Sequence, residues 1–157
     1  MSSPADIFFL SLSLPPTIGS GEIPILSLRL EHRGDERLYL PVRFAVAPLG
    51  DVRLEVACDG RVVPFASRVR LGPLRASDYT TIEPGEVVVA GIPLSPGYDV
   101  APAGLYTVSA QLRLGAPPDA LSAYRVAEGE VGSETVRMRV RPGGEQHLER
   151  QPRSQHR

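Results

Sequence analysis

Apolar and polar residues alternate with period two along most of the chain, the pattern of strands that bury one face and solvate the other. Phe8, Leu10, Leu12 and Leu14 share one parity against Ser11 and Ser13, and Leu26, Leu28 and Leu30 oppose Ser27, Arg29 and Glu31. After the turn-like stretch from His32 to Glu36, Leu38, Leu40, Val42, Phe44 and Val46 are set against Tyr39, Arg43 and Ala45. Pro41 falls on the outer parity of that strand and predicts an edge or a bulge, where no ladder donor is needed. Val52, Leu54 and Val56 run into Asp59-Gly60, a pair suited to the positive φ angles of a type I′ turn, so Arg61 to Phe65 is the predicted returning strand. Shorter strands are predicted over Arg68 to Leu71, Tyr79 to Ile82 and Glu86 to Ile92, the last after the turn signal Pro84-Gly85. Two strong ones follow, Tyr106 to Leu114 and Val136 to Val140.

Eight or nine short strands at intervals of roughly ten residues predict an all-β fold, an immunoglobulin-like antiparallel β-sandwich over residues 1–140. The stretch from Gly115 to Gly132 is long for a hairpin connection and predicts one helical turn or a loose excursion. From Arg141 onward the composition turns polar, with Leu148 its one aliphatic residue, and residues 141–157 are expected to form a disordered basic tail.

Composition narrows the chemistry. Fifteen glycines and 16 prolines in 157 residues argue against long helices and punctuate the predicted strands. All 17 basic residues are arginine, and the chain contains no lysine, asparagine or tryptophan. Without lysine there is no Schiff base, no phosphate-binding Walker lysine and no Ser-Lys pair. Without asparagine there is no N-glycosylation sequon. A net charge of −1 supplies no field toward nucleic acid or an anionic membrane, and no run of apolar residues is long enough for a membrane-spanning helix. The N-terminal Met1 to Leu14 has an apolar run but no basic flank, so a signal peptide is not expected; the compartment stays open, with the cytoplasm favoured.

The residues that carry most enzyme chemistry are scarce. His32 lies in a predicted turn, His147 and His156 in the predicted tail, where nothing holds an imidazole against a nucleophile. No metal-ligand spacing appears, and no cofactor is expected. Cys58, the single cysteine, continues the inward parity of Leu54 and Val56 and reads as a small buried hydrophobe, with no disulfide partner. Arg113, Arg137, Arg139 and Arg141 share outward parities on neighbouring strands, either a basic stripe or an ordinary solvated face. The stretch Leu71 to Ile82 is the most individual of the chain. It mixes turn residues with Leu74, Arg75, Asp78 and Tyr79, residue types that anchor protein interfaces, although a sheet-to-sheet crossover explains the same composition.

Several motifs occur together: Asp59-Gly60-Arg61 leading to Phe65, Leu74-Arg-Ala-Ser-Asp-Tyr79, Ile82-Glu-Pro-Gly-Glu86, Leu94 followed by Tyr98-Asp99, and Gly104-Leu-Tyr-Thr-Val108. In this order they resemble the non-catalytic immunoglobulin-like domain that precedes the catalytic domain of deuterolysin-type zinc metallopeptidases, over roughly residues 5–140. The Gly104-x-Tyr106-x-Val108 element is also similar to a tyrosine corner, in which a Tyr hydroxyl pins an inter-sheet connection. The zinc-binding HExxH of those enzymes is absent, so their activity does not carry over. What the resemblance implies is a propeptide-like or inhibitor-like partner of a peptidase. The resulting expectation is a non-enzymatic protein-binding module that uses loops at one end of the sandwich, with Leu74, Arg75, Asp78, Tyr79, Tyr124 and Arg125 as anchors and a metallopeptidase as partner. The alternative is an assembly protein that self-associates through edge strands or the basic sheet face; the oligomeric state is not set by the sequence.

Overall fold

A computed structural model describes residues 7–41, 51–66, 72 and 74–143. Among these, eleven strands form in chain order: β1 (Phe8–Ser13), β2 (Thr17–Gly19), β3 (Ile25–His32), β4 (Leu38–Pro41), β5 (Val52–Cys58), β6 (Arg61–Val62), β7 (Tyr79–Ile82), β8 (Val87–Pro93), β9 (Gly104–Leu114), β10 (Gly129–Gly132) and β11 (Val136–Arg141). One sheet runs β1-β3-β8, a second runs β2-β11-β9-β5-β6 with β10 also on β9, and β4 pairs with β7 in a small third sheet. The described strands make an all-β sandwich.

Alternation explains the packing. Leu26, Leu28 and Leu30 of β3 are wholly buried, while Arg29 between them is exposed. They join Val52, Leu54 and Val56 of β5, Tyr106, Val108 and Leu112 of β9 and Met138 and Val140 of β11 in one core. Facing sheets thus bury one parity of every long strand, and each such leucine contributes about 2 kcal/mol relative to exposure. The hairpin after β5 has the predicted form: Cys58 pairs with Arg61, and both Asp59 (φ 50°) and Gly60 (φ 85°) lie in the left-handed region. The tyrosine corner also forms, with the Tyr106 hydroxyl donating to the carbonyl of Pro102 at 2.7 Å.

Other expectations are corrected. The sheets are antiparallel as expected except for one short pair, β2 beside β11, which runs parallel with Arg139 opposite Thr17. The strand returning from Asp59-Gly60 pairs over Arg61–Val62, the Val63 amide still donates to the Val56 carbonyl at 2.8 Å, and the chain then departs, the Phe65 ring packing on Tyr98 with centroids 5.3 Å apart and the Ala66 amide donating to the Gly97 carbonyl. His32 closes β3 instead of opening a turn, and Cys58 is half-buried because it sits at the sandwich end. Pro41 does lie in a two-stranded sheet, but it is buried: its outward face also carries its cross-strand partner Tyr79. The long connection after β9 contains a 3₁₀ turn at Asp119–Leu121 and then β10, which runs beside β9 with Glu130 opposite Arg113. Arg141 belongs to β11 and pairs with Gly19; the predicted tail beyond Gly143, the predicted continuation of β4 over Val42 to Val46 and the predicted strand Arg68 to Leu71 lie outside the described residues.

Candidate functional site

The candidate anchors meet around β4. On one side of this strand β7 pairs with it, Tyr79 opposite Pro41 and Thr81 opposite Tyr39. On the other side the segment after the Asp119–Leu121 turn runs parallel, with the Tyr39 amide donating to the Arg125 carbonyl at 2.8 Å and the Ala127 amide to the Tyr39 carbonyl at 3.0 Å. Two segments that hold predicted anchors and lie more than forty residues apart in sequence therefore flank β4, about 10 Å from one another across it.

Cross-strand partners share a face, so the small sheet has two distinct sides. Leu38, Leu40 and Ile82 enter the core. Tyr39, Pro41, Tyr79 and Thr81 occupy the other side, and the Tyr124 ring lies over Tyr39 with centroids 4.9 Å apart and planes tilted by 44°. Tyr124 is 53% exposed, and Tyr39 and Tyr79 are half-buried. The outward parity of Tyr39 was the one available signal for its inclusion, and it reads equally well as plain solvation.

The crossover before β7 is a capped turn. The Arg75 amide donates to the Asp78 carboxylate at 2.8 Å and the Asp78 amide to the Arg75 carbonyl at 2.9 Å, closing a 3₁₀ turn over Ala76–Asp78. Asp78 thus organises backbone, while the exposed Arg75 side chain projects from the turn and Leu74 is half-buried beside it. On the far flank the Arg125 guanidinium pairs with Glu36 at 2.5 Å, an exposed ion pair worth well under 1 kcal/mol to stability.

Beneath that ion pair a cleft of about 320 Å³ is lined by His32, Leu38, Val126 and Glu128 among others. His32 is buried, but both ring nitrogens are occupied by backbone: Nδ1 accepts from the Gly34 amide at 3.0 Å and Nε2 donates to the Glu36 carbonyl at 2.6 Å. The imidazole fastens the 32–36 loop and has no free nitrogen for catalysis. Among the described residues no group of three or more His, Cys, Asp or Glu side chains gathers as a metal would require.

The basic stripe is shorter than its sequence pattern. Arg113 lies 3.5 Å from the Glu130 carboxylate on β10, whereas β11 pairs only with the Gly104 to Val108 half of β9. Arg137, Arg139 and Arg141 remain as an exposed column on β11, beside Thr107, Leu105 and Thr17, with no ion pair among the described residues.

Two tyrosines are held in the neutral form by burial. The Tyr98 phenol donates to the Leu54 carbonyl at 3.3 Å and is shifted upward by desolvation. Burial, with the neighbouring Cys58 thiol next in effect, pushes the Tyr106 phenol well above the ordinary range.

The sequence matches no protein-family profile and no curated protein. Among solved structures the chain is similar to the CARDB domain of a Pyrococcus furiosus protein. Its crystal structure with di-metal ions gives a TM-score of 0.42 at 12% identity, over 85% of this chain and 87% of that one. The solution NMR structure of the same domain gives 0.41 at 12% identity, over 85% and 93%.

Proposed function

We propose that the chain is a non-enzymatic protein-binding module whose recognition surface is the outward side of the β4–β7 sheet and its 124–128 flank. The observation that carries this reading is the gathering of Tyr39, Tyr79 and Tyr124 with Pro41 on one side of a small sheet, rimmed by the charged Arg75, Arg125 and Glu36. Tyrosine and arginine are the residue types enriched where protein interfaces hold most of their energy, because they offer large contact area with a polar tip. Tyr124 is half exposed and supported from below by Tyr39, so it presents an ordered ring without needing rearrangement. A metallopeptidase as the partner rests on the sequence resemblance alone.

The test is paired capture from the source cells, using wild type, the Tyr124→Ser/Arg75→Ala variant and an Arg137→Glu control, each first checked by circular dichroism. A protein retained by wild type and by the control, and lost at least tenfold with the double variant, supports the surface. Equal retention by all three would exclude it. Direct titration of the captured protein, or of a deuterolysin-type peptidase, then decides the partner's class.

A further inference from the structure

We infer that the open edge of β8 pairs with β8 of a second copy of this chain, making the β1-β3-β8 sheet continuous across a two-fold axis. This does not rest on the partner-binding reading above, which uses a different surface.

The direction of the backbone groups follows from the ladder. At its two ends the His32 amide donates to the Glu86 carbonyl at 3.0 Å and the Leu94 amide to the Pro24 carbonyl at 3.1 Å. With Leu30 opposite Val88, Leu28 opposite Ala90 and Leu26 opposite Ile92, the antiparallel alternation turns Val88, Ala90 and Ile92 toward β3. Val87, Val89 and Gly91 must then point their N–H and C=O groups away from β3, and no strand among the described residues receives them.

The other border strands among the described residues are shorter or partly covered. In the second sheet the border strands β2, β6 and β10 have three, two and four residues, and beyond β6 the Val56 and Leu54 carbonyls of β5 accept from the Val63 amide and the Tyr98 hydroxyl. The outer edge of β4 is bridged by residues 125–127, β7 has four residues, and β1 lies against β10. Among the described residues β8, seven residues long, is the longest strand at the border of a sheet. It lacks the usual protections: it has no charged side chain from Val87 to Pro93, no proline before its last residue, and the chain has no lysine at all. Val89 is 62% exposed, and Ile25 (49%) and Ile23 (59%) extend the apolar strip beside it. A Cβ placed on Gly91 would stand 3.4 Å from the Ile25 side chain, so Ile25 leans over the bare glycine toward the edge.

A second copy fits this edge because the edge is self-complementary. An antiparallel pair centred on Val89 sets Val87 against the other copy's Gly91 and Val89 against itself. All three outward amides then find carbonyls, Pro93, without an amide, falls beyond the paired stretch, and no like charges oppose one another. One strand pair with its apolar strip buries less than the ~1,200 Å² typical of stable interfaces, so association is reversible and concentration-dependent.

Sedimentation velocity from low to high micromolar concentration should show the mass rising from the 16.9 kDa monomer toward twice that value, and Val89→Lys should hold it at monomer. Amide exchange on the wild type reads the same geometry without a variant. At high concentration the amides of Val87, Val89 and Gly91 should slow at least tenfold, while those of Val88, Ala90 and Ile92 stay unchanged. A monomer at every concentration overturns the inference. So does a dimer in which those three amides exchange as fast as in the monomer.

Discussion

At the scale of single residues, Tyr106 shows how a side chain that looks reactive is consumed by architecture. Its ring is fully buried at the start of β9, and its hydroxyl holds the Pro102 carbonyl. The Gly104-x-Tyr106-x-Val108 spacing made that contact legible in the sequence, because few residues other than Tyr span a packed core and still reach a backbone acceptor. His32 went the other way. Its place beside Arg33-Gly34 suggested a turn, and only the fold shows both its nitrogens spent on Gly34 and Glu36. Burial raises the phenol pKa of Tyr98 and Tyr106, so folding favours their protonated forms. That contribution is fully present below the unfolded value of about 10 and is lost as pH climbs toward the raised folded values. In an alkaline titration of the five tyrosines, followed by phenolate absorbance and circular dichroism, two should ionise only together with loss of the β signal. Ionisation of all five before unfolding would contradict this.

At the scale of elements, the long alternating strands were readable and the short ones were not. Val52–Cys58 and Val136–Arg141 follow their predicted limits within a residue or so because burial on one face dictates their parity, and the four-residue Tyr79–Ile82 is the exception among the short strands. Thr17–Gly19 and Gly129–Gly132 hold one large apolar residue each, so their strand state comes from partners distant in sequence, β11 and β9. The convergence on β4 was hidden for the same reason: the parallel run of residues 125–127 beside Tyr39 has no local signature. The join between the Asp59-Gly60 hairpin and β9 makes a sharper prediction. Gly104 has φ 153°, and a Cβ there would lie 2.7 Å from the Asp59 carboxylate and 2.8 Å from the Cys58 thiol, while that carboxylate also accepts the Leu105 amide at 3.0 Å. Gly104→Ala should therefore cost about 1–3 kcal/mol in urea unfolding, through backbone strain and a displaced turn. An unchanged midpoint would show that the hairpin and the corner are not coupled.

At the scale of the whole molecule, the fold spends His32, Tyr98 and Tyr106 on backbone carbonyls and amides and leaves Tyr124 and Arg125 exposed. The lack of lysine removes several catalytic devices and also removes the commonest guard of an open strand edge, so one compositional fact bears on both surfaces described. The tyrosine side of β4–β7 and the edge of β8 are separate surfaces, and a variant in one should leave the other's binding unchanged. The most direct measurement of the central claim is hydrogen exchange on the chain with and without its captured partner, at a concentration where the free chain is monomeric. Exchange should slow in residues 38–41, 79–82 and 121–127, with the Arg137 to Arg141 strand unaffected. Protection confined to β11, or to residues outside the β4–β7 region, would contradict the claim.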